Sequence, residues 1–510
     1  MARPPGVGMR GQCPYTLGDL LPRHQPDSPM RRLLLPIALC AALSGCGETG
    51  QRKDDAPVVV SAIGGPIREG DAAASPLAIP ARILVGATAQ GLVRFDAAGQ
   101  IEPGLAERWI VIDDGLSFIF RLREAQWSDG TPVTAAQAVR ALRKSVADPR
   151  SPLAPFLAVV SEIVEMTPQV IEVRLKRPRP DLLRLFAQPE LAIARGSQGS
   201  GPFRIARATA NGVALVPAPD PAAREGDPAP EETLLLRGER AAVALARFKE
   251  SKSDLVLGGS FADWPLVGVA GIAPANVRID PALGLFGLAV MHRDGFLAVA
   301  ENRAALAMSI DRVALTKTVA PDWAPVETLL PAQLDSAARP TQPGWSALRL
   351  EARRLSATAR VSAWRRTHPE PLTVRIALPS GPGATLVWAH LAASLRAIGV
   401  DPVRVGMDDR AELRLIDAVA PYDSGRWFVA TACPACPEPA LAVIDAGREA
   451  PDLAQRALRI AEADAALTAD AAYIPLAQPF RWSIVALRLP AWQGNARAWH
   501  PLNHLRNEAR

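Results

Sequence analysis

This sequence of 510 residues has few long apolar runs, and neither positive nor negative charge dominates it. Beyond residue 45, no segment reaches the roughly 18 consecutive apolar residues that a membrane-spanning helix needs, so we expect no later span. Lysine and arginine number 57 against 52 acidic residues, and aromatic residues make up only 5%. Because no basic run with interleaved aromatic side chains occurs, the sequence argues against nucleic acid as a partner.

Catalytic and cofactor motifs are also missing. The sequence contains neither G-x-S-x-G nor H-E-x-x-H. The glycine-rich segment Gly196–Phe203 departs from the phosphate-loop patterns, and Pro202 stands where a helix should begin. His500 and His504 are four residues apart, but Pro501 between them disfavours a helical metal site, so we expect surface histidines. The sequence therefore predicts no enzyme activity, no metal and no cofactor.

The beginning of the sequence has the pattern of a bacterial export signal. Arg31-Arg32 precedes the apolar run Leu33–Leu43, which is too short to span a bilayer. The run ends in Leu43-Ser44-Gly45-Cys46, which resembles a lipobox, where a peptidase cuts before a cysteine that is then acylated. The alternative is a core helix with a chance cysteine. The predictions are a leader over 1–45 whose better start is Met30, lipidation at Cys46, and a tether over 46–57.

Export places a protein in an oxidising compartment, where paired cysteines tend to form disulfides. Of the five cysteines, Cys433 and Cys436 are the two that lie beyond Cys46. Their C-P-A-C spacing also occurs in redox and zinc motifs, but a closed zinc site needs further cysteine or histidine ligands. We predict a small-loop disulfide, with redox activity as the alternative.

Strand and helix patterns alternate along the rest of the chain and predict an α/β fold. In the β-rich part, Asp113-Asp114-Gly115 predicts a hairpin turn, and Thr134 with Gln137 predicts a capping box before a helix. The predicted strands include Leu92–Phe95, Trp109–Ile112, Leu116–Leu122 and Leu372–Leu378; the predicted helices include Val299–Val313, Ala384–Ile398 and Leu453–Leu467.

Several of these segments resemble one known family. The stretch Gly91–Val139 (GLVRFDAAGQIEPGLAERWIVIDDGLSFIFRLREAQWSDGTPVTAAQAV) is similar, almost phrase by phrase, to the extracytoplasmic solute-binding proteins of family 5. Weaker similarities follow at Gly199–Phe203, Arg303–Arg312 and Tyr473–Leu476, so the resemblance covers roughly residues 90 to 505. Members of this family are the oligopeptide- and dipeptide-type receptors that feed ABC importers.

The resemblance implies a two-lobed periplasmic binding protein of type II, in the peptide-receptor cluster, with an extra β-rich subdomain in the first lobe. Such a protein captures a peptide-like solute in the cleft between its lobes and delivers it to ABC permease and ATPase subunits. We expect a monomer in the periplasm, held to the membrane by its lipid. The implied boundaries are 58–280 for the first lobe, including the subdomain 87–190, 281–477 for the second lobe, and 478–510 for a return to the first.

The ligand-binding residues are also implied by the resemblance. In the family, an aspartate in a W-x-A-D-Y-x-x-P loop holds the ligand's ammonium group. The corresponding loop here is Ala432–Pro439, where Ala435 takes the aspartate position and Glu438 is the acid close by. The candidate ligand-binding residues are Gln90, Gly91, Arg426, Trp427, Glu438 and Trp482. For Gln90, Arg426, Trp427 and Trp482, ordinary packing or a solvated surface is the alternative. A non-peptide solute (a metal chelate, haem, sugar or opine) and a degenerate envelope lipoprotein that acts as a scaffold also remain open.

Overall fold

The computed structural model describes residues 54–67, 77–196, 198–219, 229 and 232–506. The predicted leader, Cys46 and most of the tether lie outside these residues. None of the helices within the described ranges has the length and apolarity that crossing a bilayer requires.

The described strands and helices alternate over much of the chain. In chain order, the strands are β1 (Val58–Ile63), β2 (Val93–Phe95), β3 (Ile101–Pro103), β4 (Ala106–Ile112), β5 (Ser117–Leu122), β6 (Val160–Thr167), β7 (Val170–Leu175), β8 (Ala194–Arg195), β9 (Gln198–Gly199), β10 (Phe203–Thr209), β11 (Gly212–Pro217), β12 (Leu234–Glu239), β13 (Leu255–Ser260), β14 (Val277–Ile279), β15 (Gly284–Val290), β16 (Thr373–Ala377), β17 (Asp401–Val405), β18 (Leu413–Val419), β19 (Tyr473–Ala477) and β20 (Arg481–Val485). The α-helices are α1 (Ile79–Thr88), α2 (Ala135–Val146), α3 (Ala154–Leu157), α4 (Leu182–Phe186), α5 (Ala241–Lys249), α6 (Pro265–Val269), α7 (Ala300–Ser309), α8 (Arg312–Val319), α9 (Leu350–Arg365), α10 (Pro382–Arg396), α11 (Gly425–Ala432), α12 (Glu438–Glu449) and α13 (Leu453–Asp470).

The first large sheet has seven strands in the order β10-β11-β12-β1-β13-β20-β14. Its central strand β1 pairs in parallel with β12 and β13, and all six of its residues are buried. Side chains of α1 pack on one face of β1, among them Ile83 and Leu84. Those of α5, such as Leu245, pack against the opposite face beside Ile63. Helices on both faces explain why five of the six residues of β1 are apolar. We call this sheet and the elements packed on it the first lobe.

A smaller antiparallel sheet, β4-β5-β7-β6, forms a separate β-rich subdomain. We count it with the first lobe because the chain enters it after α1 and leaves it before β10 of the first sheet. The predicted hairpin is confirmed, because β4 pairs with β5 through a turn in which Asp113, Asp114 and Gly115 have positive φ. The predicted capping box is also confirmed. The backbone N–H of Gln137 donates to Thr134 Oγ1 at 3.3 Å, and that of Thr134 donates to Gln137 Oε1 at 3.1 Å.

The second large sheet has five strands in the order β17-β16-β18-β15-β19. Its strand β15 is buried along its whole length, with helices α7 to α10 against one face and α11 to α13 against the other. We call this sheet and its helices the second lobe. The single helix predicted over Val299–Val313 is wrong, because the chain turns extended at Ile310 and begins α8 afterwards. There the Asp311 carboxylate accepts from Ala314 N at 2.9 Å as an N-cap.

The chain crosses between the two sheets twice, from β14 to β15 and from β19 to β20. Aromatic rings from both lobes pack at these crossings. Phe286 and Trp323 of the second lobe lie 4.8 Å and 6.3 Å from the ring of Phe261 in the first lobe. Phe480, within the second crossing, lies 5.5 Å from Trp323. The crossings are therefore embedded in a shared apolar cluster.

The segment after β20 supports the first crossing. Asp280 accepts from Asn495 N at 3.0 Å and contacts His500 Nε2 at 3.1 Å. The expectation of a surface histidine is wrong for His500, which is buried, since the buried carboxylate of Asp280 needs hydrogen-bond partners. His504 is partly buried and contacts Glu102 Oε1 at 2.8 Å. Within the described ranges, no cluster of three His, Cys, Asp or Glu side chains is arranged to hold a metal.

Candidate functional site

The lobes meet where one end of each of three second-lobe helices contacts the subdomain of the first lobe. The contacting ends are the start of α11, the end of α12 and the start of α13. Arg426 Nη2, at the start of α11, donates to Pro155 O of α3 at 3.2 Å. At the end of α12, Arg448 O accepts from Arg179 Nη2 at 3.0 Å. In the first turns of α13, Arg456 lies 3.5 Å from Asp181.

The loop that follows β18 is held by side chains of the first lobe. Ala420 O accepts from Arg497 Nη1 at 2.7 Å, and Pro421 O accepts from Gln188 Nε2 at 2.8 Å. Asp423 pairs with Arg184 at 3.0 Å and also with Arg497. Backbone acceptors at the end of a strand are the groups through which an extended ligand pairs with a sheet. In this structure, side chains of the opposite lobe satisfy them.

Asp423 is a junction residue that sequence reasoning missed. Its signal is an acidic residue in a short loop directly after a strand, in the sequence Ala420-Pro421-Tyr422-Asp423. The resemblance had placed the acid-bearing loop further along, at Ala432–Pro439. Only the packing of the lobes distinguishes the two loops, because each is short and follows a regular element.

Three arginine side chains are buried together at the junction: Arg179, Arg426 and Arg456. Burial, with the positive charges of Arg456 and Arg426, lowers the pKa of Arg179 to about 10. Burial also lowers the pKa of Arg426, since removing a cation from water penalises its charged form. Tyr422 lies beside them, and burial followed by the nearby Asp181 charge raises the pKa of its phenol. This group, with Asp181 and the half-buried Asp335, is the arginine cluster.

Two of the predicted ligand-binding residues lie at this junction. Arg426 is buried, with its guanidinium 5.1 Å from the centre of the Phe156 ring of the first lobe. Its neighbour Trp427 is also buried and packs edge-on against Phe428 at 5.0 Å. Both residues therefore lie at the lobe junction, and their contact with a ligand stays a prediction; the arginine partners of Arg426 were not predicted.

Gln90 and Gly91 connect parts of the first lobe instead. Gln90 forms an isolated β-bridge with Ile193, and its side chain donates to Ser200 O. Gly91 lies so close to the backbone that a Cβ there would be 2.3 Å from Phe186 O. Trp482 is 1% exposed, donates to Ser260 O at 2.8 Å and covers Gly259 within the first sheet. The contacts of these three residues are with the protein's own core.

Glu438 lies away from the junction. It is the exposed first residue of α12, whereas the last residue of that helix, Glu449, pairs with Arg177 of the first lobe. Eleven helical steps of 1.5 Å put the two ends about 16 Å apart. The helix α12 therefore carries Glu438 to the end that lies away from the junction.

The loop before Glu438 is tied to the second lobe itself. Cys433 and Cys436 form a disulfide there, and Ala435 O accepts from Arg293 Nε at 3.3 Å. Arg293 also pairs with Asp470, at the end of α13, at 2.7 Å. These contacts fasten the ends of the helices that point away from the first lobe.

Comparison with known proteins agrees with this geometry. The model of the bacterial extracellular solute-binding proteins, family 5 Middle, matches residues 100–419. A probable deoxycholate-binding periplasmic protein, YgiS of Escherichia coli K12, is 36% identical over 122 residues. That match covers 20% of this chain and 23% of the relative, so the chain spans less than a quarter of that protein's length.

Solved structures match almost the whole fold at low identity. Haemophilus influenzae OppA, in complex with RPPGFSPFR, has a TM-score of 0.73 at 17% identity, covering 88% of this chain and 99% of OppA. The murein tripeptide binding protein MppA of E. coli also scores 0.73, at 18% identity over 88% of this chain and 97% of MppA. Its unliganded open form scores 0.62 at the same identity and coverage. These likenesses confirm the predicted two-lobed α/β fold class.

The close approach at Gly91 predicts a packing role. Gly91→Ala should lower the free energy of unfolding by about 1–3 kcal/mol, since a Cβ would be forced against the Phe186 carbonyl. Gly268→Ala is the matched control, because a Cβ there meets nothing within 4 Å. Urea unfolding checks both. Equal stability of the two variants would contradict the packing role.

The bridges of Arg497 to Ala420 and Asp423 join the two lobes, so we predict that this side chain favours the arrangement in which the lobes are in contact. Arg497→Gln removes a charged bridge of about 1–3 kcal/mol, so small-angle X-ray scattering should record a larger radius of gyration than for the unmodified protein. The control is Arg410→Gln, on the exposed surface of the second lobe. An unchanged radius in Arg497→Gln would contradict the bridging role.

Proposed function

The chain belongs to the bacterial extracellular solute-binding proteins of family 5, and from this membership we propose that it captures a peptide-like solute for an ABC importer. The single observation that carries the proposal is the junction, where polar groups of both lobes meet beside two chain crossings. Two lobes joined in this way close like a hinge and bury a small molecule between them.

The carbonyl groups of Ala420 and Pro421 are the proposed contacts for the solute's backbone. Both lie directly after β18, and both now accept from side chains of the first lobe. When the lobes part, Arg497 and Gln188 leave with the first lobe, and the carbonyls become available to the N–H groups of an extended solute. Closure then brings those two side chains onto the bound solute.

The relatives support a peptide-like solute, but the solutes named for them belong to more than one chemical class. OppA is described in complex with a peptide and MppA as a murein tripeptide binding protein, whereas YgiS is described as a probable deoxycholate-binding protein. A non-peptide solute is the second candidate. It is favoured by the pairing of Asp423 with two arginines, which leaves that carboxylate less able to hold an ammonium group.

The cellular setting is part of the same proposal. We infer that the protein is a periplasmic monomer, anchored to the membrane by acylation of Cys46 and docking on permease subunits that are driven by an ATPase. The proposed boundaries are those of the sequence prediction, with a leader over 1–45, a tether over 46–57, lobes over 58–280 and 281–477, and a return over 478–510. The arrangement of the two large sheets along the chain supports the lobe boundaries.

Native mass spectrometry of protein purified from the periplasm tests solute capture. We expect one bound small molecule per chain, lost on unfolding, and a rise in melting temperature when the identified molecule is added back. The control is the same chain unfolded, dialysed and refolded before the measurement. Absence of a bound molecule, together with no thermal shift across a peptide library, would overturn the proposal.

Substitutions of Arg426 and Glu438 test the different roles that we propose for them in binding. Arg426→Gln should weaken the affinity for the co-purified solute by roughly tenfold or more, because it removes a charged hydrogen-bond donor from the junction. Glu438→Gln should leave the affinity unchanged, since that side chain is exposed at the far end of α12. Isothermal titration calorimetry measures both. A loss of affinity in Glu438→Gln alone would contradict this assignment and identify Ala432–Pro439 as the binding loop.

A further inference from the structure

The arginine cluster has more positive than negative charge. Three guanidinium groups, those of Arg179, Arg426 and Arg456, face two carboxylates, Asp181 and Asp335. An arginine stays charged even when it is buried, because its pKa remains far above neutral. An uncompensated charge away from water is costly, so this composition is unusual for a site that serves packing alone.

Several hydrogen-bonding groups of the cluster have no partner. Arg426 Nε, Arg456 Nε and Arg456 Nη1 are buried without an acceptor among the residues that the structure describes. Arg456 itself is 1% exposed, and its Nη2 is the group that finds an acceptor, Ser424 Oγ at 2.7 Å. Buried guanidinium N–H groups are normally hydrogen-bonded. Each of these unused guanidinium donors is suited to an oxyanion acceptor.

The carboxylates of the cluster do not accept hydrogen bonds from these unused donors. Asp181 lies 3.5 Å from Arg456 Nη1, yet its Oδ1 makes no hydrogen bond within the described ranges. Asp335 lies 3.4 Å from the same nitrogen, but its oxygens accept from Gly425 N at 2.7 Å and Ser424 Oγ at 3.1 Å. Asp335 is thus committed to the start of α11. Both carboxylates are ion-paired with Arg456, but neither accepts a hydrogen bond from its Nη1 or Nε within the described ranges.

The charges of the cluster come from both lobes. Arg179 and Asp181 belong to the first lobe, and Arg426 and Arg456 to the second. Closing the lobes therefore brings like charges together, and an anion placed between them converts repulsion into attraction. We propose that the arginine cluster binds the anionic group of the solute, a carboxylate or a similar oxyanion, so that an anionic solute favours closure. This inference rests on the proposed function and specifies its solute as an anion.

Binding of matched acids and amides tests the inference. A library of tripeptides with free carboxylates and the same library with C-terminal amides are compared by thermal shift, beside sodium succinate and sodium sulfate at constant ionic strength. Tripeptide acids should bind roughly tenfold or more tightly than the amides. Arg456→Gln should lose this preference, while Arg459→Gln, an exposed neighbour on α13, should keep it. If Arg456→Gln does not fold, Arg426→Gln replaces it.

The outcomes separate this inference from the proposed function. Acids and amides that bind equally well to the unmodified protein would overturn the anion site and leave peptide capture standing. Stabilisation by succinate or sulfate that Arg456→Gln abolishes, with no peptide bound, would support the anion site and count against a peptide solute. If neither library and neither salt raises the melting temperature, the anion site and peptide capture are both overturned.

Discussion

The buried arginines at the lobe junction are the constraint on which the rest of the structure depends. Arg179, Arg426 and Arg456 are buried, and the charge that they bring is only partly neutralised by Asp181 and Asp335. Burial of an unpaired ion costs several kcal/mol, whereas a well-paired one recovers much of that cost. The stability of the closed lobes is therefore tied to whatever anion completes the cluster, which makes closure and binding one event.

The aromatic contacts at the chain crossings join the two lobes without any charged group. At the crossings, Phe261, Phe286 and Trp323 pack rings of both lobes into one cluster, and this contact needs no ligand to be stable. A second bridge, Arg481 to Asp417 at 2.8 Å, joins the start of β20 to β18 of the second lobe. The crossings thus form an apolar pivot. At the junction, apolar side chains of both lobes, among them Phe156 and Tyr422 with ring centres 5.7 Å apart, pack beside the charged groups.

Features encoded locally could be predicted from the sequence, and those that depend on the packing of distant segments could not. The turn at Asp113 and the capping box at Thr134 are formed by neighbours in the chain, so their residue types were sufficient. The break at Ile310 was missed because the apolar spacing continues through it. The burial of His500 depends on Asp280, which is 220 residues away. At the site, Arg426 and Trp427 were placed through family resemblance, but Arg179, Arg456 and Asp423 come together only when the lobes pack.

Crystallography of the protein purified from the periplasm, with its solute retained, tests the central claim most directly. A map at sufficient resolution to place side-chain hydrogen-bond partners would reveal what the free donors of Arg426 and Arg456 contact. We predict closed lobes with a carboxylate or another oxyanion of the solute within hydrogen-bonding distance of both guanidinium groups. Closed lobes in which these donors meet only water or the protein's own carboxylates, with a solute bound elsewhere, would contradict the claim.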